Sequence, residues 1–503
     1  MKIKNIFINS LVLMALAFTS CQNFDDLAVN PNAPTIAPAS LVFNGVCNDI
    51  NNIYSGTPWN EASKYAQYWC VNYNYYGNQD YGWTNSALTF GTLYNVQKME
   101  QEAIRNGAKD VNPFAAIGKF IKAYFYTQMS LRVGDVPLTD ALKSAENVFK
   151  PKYDSQKAVF QQSLKWLDEA NDNLTTLIGA ADVSLSGDIY FGNDLRKWQK
   201  VVNTYRLRLL VHLSKKEADT DLNIKKQYSD VLGNPSKYPV LTGMGDNLQY
   251  NYNTSANKYP TNPDNFGNDA TRNNMAKTYV DILKDLKDAR LFVTCEPTDT
   301  ALKTGKTRTD FDAYEGASSG EGLDVMSTKA LKGQYSFINR KRYYANYTSE
   351  PNVLVGYVEL CFNNAEAVNR GWATGNAEDW YNKGITASMK FYGADDATIT
   401  TYLAQAKVKY KGNTTDGLTQ ILTQKYLGFF QNSGWESFYN QRRTGIPTFL
   451  VGPANANAQR IPKRWQYPLS ERTTNADNWT AALKNQFDGG NTDDVNGTLW
   501  ITK

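Results

Sequence analysis

Tyr73, Tyr75, Tyr76, Tyr81 and Trp83 crowd into one short stretch of the chain, with Asn74 and Asn78 between them. Their spacing reads as neither helix nor strand, and Gly77 interrupts it, so residues 73–83 are expected to form a loop. Rings on a loop without a burial period ask for a ligand or a partner. An aromatic face beside an amide offers a flat apolar surface and hydrogen-bond groups together, the chemistry that holds a sugar ring. Tyr314, Tyr343 and Tyr344, in the irregular stretch 297–351, form a weaker second arm of this candidate binding face. The alternative is that any of these rings packs beneath its loop.

Catalytic chemistry has fewer candidates. Glycoside hydrolysis needs two carboxylates flanking a cleft, about 5–10 Å apart. Glu315, Glu321 and Asp324 are the acidic residues of the aromatic mid-loop, and acidic residues are common in loops. No His-Glu-x-x-His motif or Walker loop occurs. The single histidine, His212, lies among apolar residues of a helical stretch and is expected to be packed. One histidine cannot build a histidine-rich metal site, so no metal or other cofactor is expected. Arg442-Arg443-Thr444-Gly445 has the residue types of a carboxylate or phosphate site, yet its place after a helix and before Pro447 reads as a structural corner.

The chain begins with Lys2 and Lys4, an apolar run over 6–18, and the small residues Thr19 and Ser20. That order is a secretory signal over residues 1–20. The run is shorter than the roughly 20 apolar residues that cross a bilayer. Cys21 stands directly after the small residues and resembles the lipobox of bacterial lipoproteins, with Phe18 where that motif usually has Leu. The resemblance implies cleavage before Cys21 and acylation of its thiol, palmitate being one such chain. Each buried CH₂ contributes about 0.8 kcal/mol, and two or more chains anchor stably. Asp25 and Asp26 resemble the surface-export signal of Bacteroidetes lipoproteins. Residues 21–40 then form the lipid anchor and a turn-rich tether, and 41–503 a single helical domain.

Composition agrees with a large folded domain. The chain has 503 residues, 42% apolar and 20% charged, which is ordinary globular usage. A net charge of +4, two units of it from Lys2 and Lys4, gives no case for a nucleic-acid partner. The bias is aromatic, with 32 Tyr and 11 Trp beside abundant Asn, which again suits polar planar ligands. Besides Cys21 there are Cys47, Cys70, Cys295 and Cys361, with no metal-ligand spacing. Cys47 with Cys70 is the most plausible disulfide, but buried free thiols are expected in a domain of this size.

The elements that must position the rings are mostly helices. Tyr65, Tyr68 and Trp69 have helical spacing and belong in the core. Ile117, Phe120, Ile121, Tyr124 and Gln128 mark one helix face; Leu164, Leu167, Ala170, Leu174 and Leu177 a second; Trp198, Val201, Val202, Tyr205 and Leu209 a third. Asn376 suits an N-cap and Gly393 a stop. Ala377, Tyr381 and Gly384 repeat the small-aromatic-small spacing of a tetratricopeptide second helix. The C-terminal region is expected to be loops and an exposed Asn-rich tail.

Several segments together resemble the SusD/RagB family of nutrient-binding outer-membrane lipoproteins, over nearly the whole chain. They include residues 29–35, Gly134-Asp135-Val136-Pro137, Asp288-Ala289-Arg290-Leu291, and Ala365-Glu366-Ala367 with Arg370-Gly371-Trp372. Tyr381-Asn382-Lys383-Gly384-Ile385, Trp435-Glu436-Ser437-Phe438 with Arg442 to Pro447, and Arg460-Ile461-Pro462 complete the set. The resemblance implies a mainly α fold, with tetratricopeptide-like helix pairs as platform and long irregular loops as binding face. It implies a non-catalytic glycan binder, or in some members a peptide binder, that covers a SusC-like TonB-dependent outer-membrane barrel. Binding residues have no fixed motif in that family, so none carries over by position.

Overall fold

The computed structural model describes residues 37–53, 57–487 and 492–503. The signal, Cys21, the acidic pair and most of the tether lie outside the described residues.

Each long helix starts where the sequence supplies a cap. Asn112 accepts from the Ala115 amide and opens helix Pro113–Val133, with Pro113 in its first turn. Ser155 does the same for Gln156–Gly179, Asp194 for Leu195–His212, Asn376 for Ala377–Phe391 and Thr414 for Thr415–Gly428. The three apolar faces read from the sequence are all buried.

Helices that follow one another in the chain pack against each other. Phe90–Arg105 lies on Pro113–Val133, which lies on Gln156–Gly179, which lies on Leu195–His212. A second group joins Tyr357–Asn369 to Ala377–Phe391 and Thr415–Gly428, and Leu195–His212 bridges the two groups. The small residues permit the close approach. A Cβ at Gly384 would meet the Phe362 ring at 2.8 Å, and one at Gly428 would meet Val358 Cγ1 at 2.7 Å. Tyr381 ties helix Ala377–Phe391 to the segment before Thr415–Gly428 by donating to the Val408 carbonyl at 2.8 Å. The architecture is mainly α, as the sequence implies.

Buried ion pairs lock the helices. Glu366 accepts from Arg443 at 2.6 and 2.9 Å and from Arg370 at 2.9 Å. Burial pushes the Glu366 carboxyl up, but Arg443 and Lys425 outweigh it and hold it at about 2. Arg442-Arg443 is therefore a structural corner, as its sequence position suggests. Arg290 forks onto Asp288 and reaches Ser388 and Gln424. His212 is packed, its Nε2 2.8 Å from Glu436.

Cys47, Cys70, Cys295 and Cys361 are all buried and free, as expected, so Cys47 and Cys70 are not bridged. Two expectations are corrected. The stretch 297–351 carries short helices, Asp299–Lys303, Leu323–Leu331 and Arg340–Tyr343. The C-terminal region is docked rather than exposed: helix Ala476–Gln486 precedes the buried Leu499 and Ile501. Gln486 accepts from the Asp135 amide at 2.8 Å, and Gln156 accepts from the Ile501 amide at 3.0 Å. Gly134, at φ +102°, makes room, because a Cβ there would fall 1.9 Å from Gln486 Oε1.

Two short antiparallel ladders complete the fold, Trp69–Val71 with Asn273–Met275 and Leu248–Tyr250 with Asn352–Val355. The first ladder positions the aromatic loop.

Candidate functional site

The loop is built outward from a rigid base. Asn60 caps helix Glu61–Tyr65, and Tyr65, Tyr68 and Trp69 are buried as expected, but the helix their spacing suggests ends at Tyr65 and Trp69 already belongs to a strand. Strand Trp69–Val71 then runs beside Asn273–Met275. Asn72 extends the pairing: its amide donates to the Arg272 carbonyl at 2.9 Å, and its Nδ2 donates to Asn274 Oδ1 at 2.6 Å. After Tyr73 the chain makes one 3₁₀ turn, Asn74–Tyr76, closed by Gly77 at φ +100°. Gln79 folds back, accepting from the Val71 amide at 3.1 Å and donating to the Val71 carbonyl at 3.2 Å. A side-chain amide thus stands in for a strand partner and fixes both ends of the turn.

The turn presents rings to solvent. Tyr75 is 81% exposed and Tyr73 45% exposed. Tyr76 is half-buried, 5.2 Å from Tyr75 edge to face and 6.3 Å from Tyr73. The Arg272 guanidinium lies 4.5 Å over the Tyr73 ring. Asn74 and Asn78 are exposed beside the rings, with Asn78 Oδ1 accepting from the Asp80 amide at 3.3 Å. Phe266 adds an exposed ring, 5.6 Å from Tyr344. Phe266 and Arg272 carry no sequence signal of their own; only the pairing of Trp69–Val71 with Asn273–Met275 brings their segment to the loop.

The other five candidate rings are core residues. Tyr81 is buried and donates to the Tyr65 carbonyl at 2.9 Å. Trp83 is only 9% exposed, stacked on Trp465 at 3.9 Å and set edge-on to Trp435 at 5.7 Å. Tyr314 is buried and donates to the Arg308 carbonyl at 2.7 Å. Tyr343 packs edge to face on Trp59 at 4.8 Å. Tyr344 is buried and donates to Asp269 at 2.6 Å. The stacking role expected for these five is therefore withdrawn. The signal was present for two of them. Gln79, Tyr81 and Trp83 face inward and alternate with Asp80, Gly82 and Thr84, a period of two that the neighbouring tyrosines mask.

The acidic candidates are engaged in ion pairs or exposed. Glu315 reaches Lys277 at 3.1 Å and Lys284 at 3.3 Å. Glu321 pairs with Lys329 and accepts from Tyr335 at 2.5 Å. Asp324 is exposed in the first turn of Leu323–Leu331. Gly316-Ala317-Ser318-Ser319-Gly320 spells the Gly-x-Ser-x-Gly of a nucleophile elbow. Here Ala317 is bridged to Ala276 and a turn follows, with Ser318 Oγ accepting from the Gly320 amide at 3.3 Å and the Ser318 carbonyl accepting from the Glu321 amide at 3.1 Å, and no helix begins directly after the serine. The one histidine that could serve it is spent on Glu436. Among the described residues no cluster of metal-ligating side chains occurs, and no helix is long and apolar enough to cross a membrane. A groove of about 680 Å³ opens elsewhere, along helix Ala377–Phe391, with Tyr357 and Phe391 as its only rings.

A SusD-like family model described as starch-binding and associating with outer membrane matches residues 31–468. No curated protein matches the chain. Among solved structures, a Bacteroides vulgatus protein, whose description proposes an outer-membrane protein for nutrient binding, is 32% identical with a TM-score of 0.82. That alignment covers 93% of this chain and 100% of the other. A SusD homologue from Bacteroides fragilis is 30% identical with a TM-score of 0.83, over the same shares of the two chains. A chitin-binding SusD homologue from Flavobacterium johnsoniae, 20% identical over 92% of this chain and 98% of its own, shares the fold at a TM-score of 0.74.

Proposed function

The chain belongs to the SusD-like family of starch-binding proteins associated with the outer membrane, and on that premise we propose that it binds a nutrient glycan on the turn at residues 73–78. One observation carries this reading: two tyrosine rings stand in solvent on a turn whose backbone is fixed from both sides. Rings grouped on one exposed turn form an apolar contact face of the kind that marks ligand sites, and a fixed turn loses little entropy when a ligand covers it. Tyr73 and Tyr75 supply stacking faces, and Asn74 and Asn78 supply amides for hydroxyl groups. The protein acts by binding rather than catalysis, because the acidic residues near the loops are engaged or scattered.

Lipidation at Cys21 holds the domain on the outer membrane at the cell surface. The bound glycan passes to a SusC-like TonB-dependent barrel that the domain covers, a lasting contact that calls for about 2,000 Å² or more of interface. A peptide ligand is the alternative, since the same groups bind one. The test is calorimetric titration of the purified domain with malto-oligosaccharides, chitin oligosaccharides and a peptide panel, with product analysis of each mixture. Glycan binding without products is expected. Binding of peptides alone would assign the turn to peptides, and cleavage products would overturn the non-catalytic reading.

A further inference from the structure

We propose that the ligand of this turn carries an anionic group, a carboxylate or a sulfate on the glycan, held between Lys64 and Arg272. The proposal rests on the glycan-binding reading above and narrows its substrate class.

Eight basic side chains are buried among the described residues: Lys64, Arg206, Arg208, His212, Arg290, Lys425, Arg443 and Arg464. Seven of them lie within 4.0 Å of a carboxylate. Arg206 meets Asp168, Arg208 meets Glu359, and His212 meets Glu436. Arg290 meets Asp288, Lys425 and Arg443 share Glu366, and Arg464 meets Asp493. Lys64 is the exception. It is 6% exposed, and its ammonium has neither ion pair nor hydrogen-bond acceptor among the described residues. The Tyr65 ring, 5.4 Å from Nζ, partners it by a cation–π contact, but no anion neutralises it as one does each of the other seven.

The place of the ammonium accounts for the difference. Helix Glu61–Tyr65 delivers it beneath the exit of the tyrosine turn, where a Cβ on Gly77 would lie 3.3 Å from Nζ. Glycine at 77 therefore keeps the ground above the ammonium clear. Burial pushes the Lys64 ammonium below its usual range, against the pull of Glu61, Cys70 and Asp80. Neither carboxylate comes within ion-pair distance: Glu61 is exposed, and Asp80 accepts from the Gly82 amide at 2.9 Å.

Arg272 stands at the other end of the turn, 4.5 Å over Tyr73. Its guanidinium likewise has no carboxylate or other acceptor among the described residues. Its backbone is fixed, because its carbonyl accepts from Asn72 at 2.9 Å. A planar fork presented flat on an aromatic ring is suited to bidentate capture of a carboxylate or sulfate. Two cations without a carboxylate partner thus flank the turn, Arg272 over Tyr73 at its entry and Lys64 near Gly77 at its exit. A chain of acidic sugars laid across the rings would meet both.

The test compares matched glycans that differ only in charge: oligogalacturonate against its full methyl ester, and sulfated against desulfated galactan oligosaccharides. Calorimetry on the folded domain should give at least a tenfold preference for the charged member of one pair, and that pair identifies the group. Lys64→Met and Arg272→Met should each remove most of the preference while leaving affinity for the neutral member within about twofold. Tyr75→Ala should weaken both members alike. Lys64→Met keeps the apolar stem and removes a charge whose contact is the Tyr65 ring, so its melting temperature should stay close to that of the parent; Lys64→Gln gives a second variant with the same expectation. Equal affinity for charged and neutral members, with both lost in Tyr75→Ala, would overturn the anionic subsite and leave the glycan platform standing. A charge preference that survives the Lys64→Met, Arg272→Met double variant would also overturn it. No binding of any member would overturn the anionic subsite and leave the glycan platform to be decided by the malto- and chitin-oligosaccharide titrations.

Discussion

Tyr75 and Trp83 lie eight positions apart in one aromatic stretch, and their environments are opposite. Tyr75 is surrounded by solvent, whereas Trp83 is stacked on Trp465 and ringed by Trp435 and Phe438. Truncating a buried tryptophan costs about 3–5 kcal/mol. Trp83→Ala should therefore lower the melting temperature strongly while the protein that remains folded binds its glycan as before; a normal melt with lost affinity would return Trp83 to the binding face. Asp135 makes a second claim at this scale. Burial, outweighing the amide of Gln156, raises its carboxyl to about 7, against about 3.9 in an unfolded chain. A raised carboxyl favours the folded state most when it is protonated. That contribution is full below about pH 4 and is lost as the pH rises through about 7. Asp135→Asn, which can still accept from Gln156, should then raise the melting temperature relative to the parent at pH 8 more than at pH 4. Equal shifts at the two pH values would show that Asp135 is ionised throughout.

The helices were legible because period, cap and stop agree with one another. Ile117 to Gln128 show the 3.6 period, Asn112 and Pro113 mark the start, and Gly134 marks the end. Leu167 is fully buried at the centre of Gln156–Gly179, so Leu167→Ala should cost about 2–5 kcal/mol in a denaturant titration. A change under 1 kcal/mol would place that face outside the core. The segments that misled the reading lack such agreement. The C-terminal residues look exposed because Asn and Asp dominate them, yet they dock through Gln486 and the Ile501 amide, contacts made with partners more than 300 residues away. The candidate site divides in the same way. Residues 73–75 were readable as exposed because no period buries them, Tyr76 is half-buried against the core, and Tyr81 and Trp83 were misread because their alternation spans only three positions. Arg272 and Phe266 were invisible, since they join the turn only through the tertiary pairing of Trp69–Val71 with Asn273–Met275, and Lys64 was invisible because its short helix Glu61–Tyr65 gives no sign of lying near Gly77.

At the scale of the whole molecule, the helical groups form a scaffold cross-linked by buried ion pairs, and the tyrosine turn is a small feature fixed on it. Such a scaffold needs no catalytic machinery to be useful, because holding a nutrient at a membrane requires only a platform and an anchor. Cys21→Ala should abolish fatty-acid labelling and release the protein from membranes; unchanged labelling would contradict lipidation at that residue. The central claim is that the exposed tyrosines are the platform. A central aromatic is worth about 2 kcal/mol in an interface, which is roughly thirtyfold in affinity. The most direct measurement is calorimetric titration of Tyr75→Ala and the parent protein with the tightest glycan of the panel. The account predicts about a thirtyfold weaker Kd for the variant with an unchanged melting temperature. An unchanged Kd would contradict it and place the ligand elsewhere on the molecule.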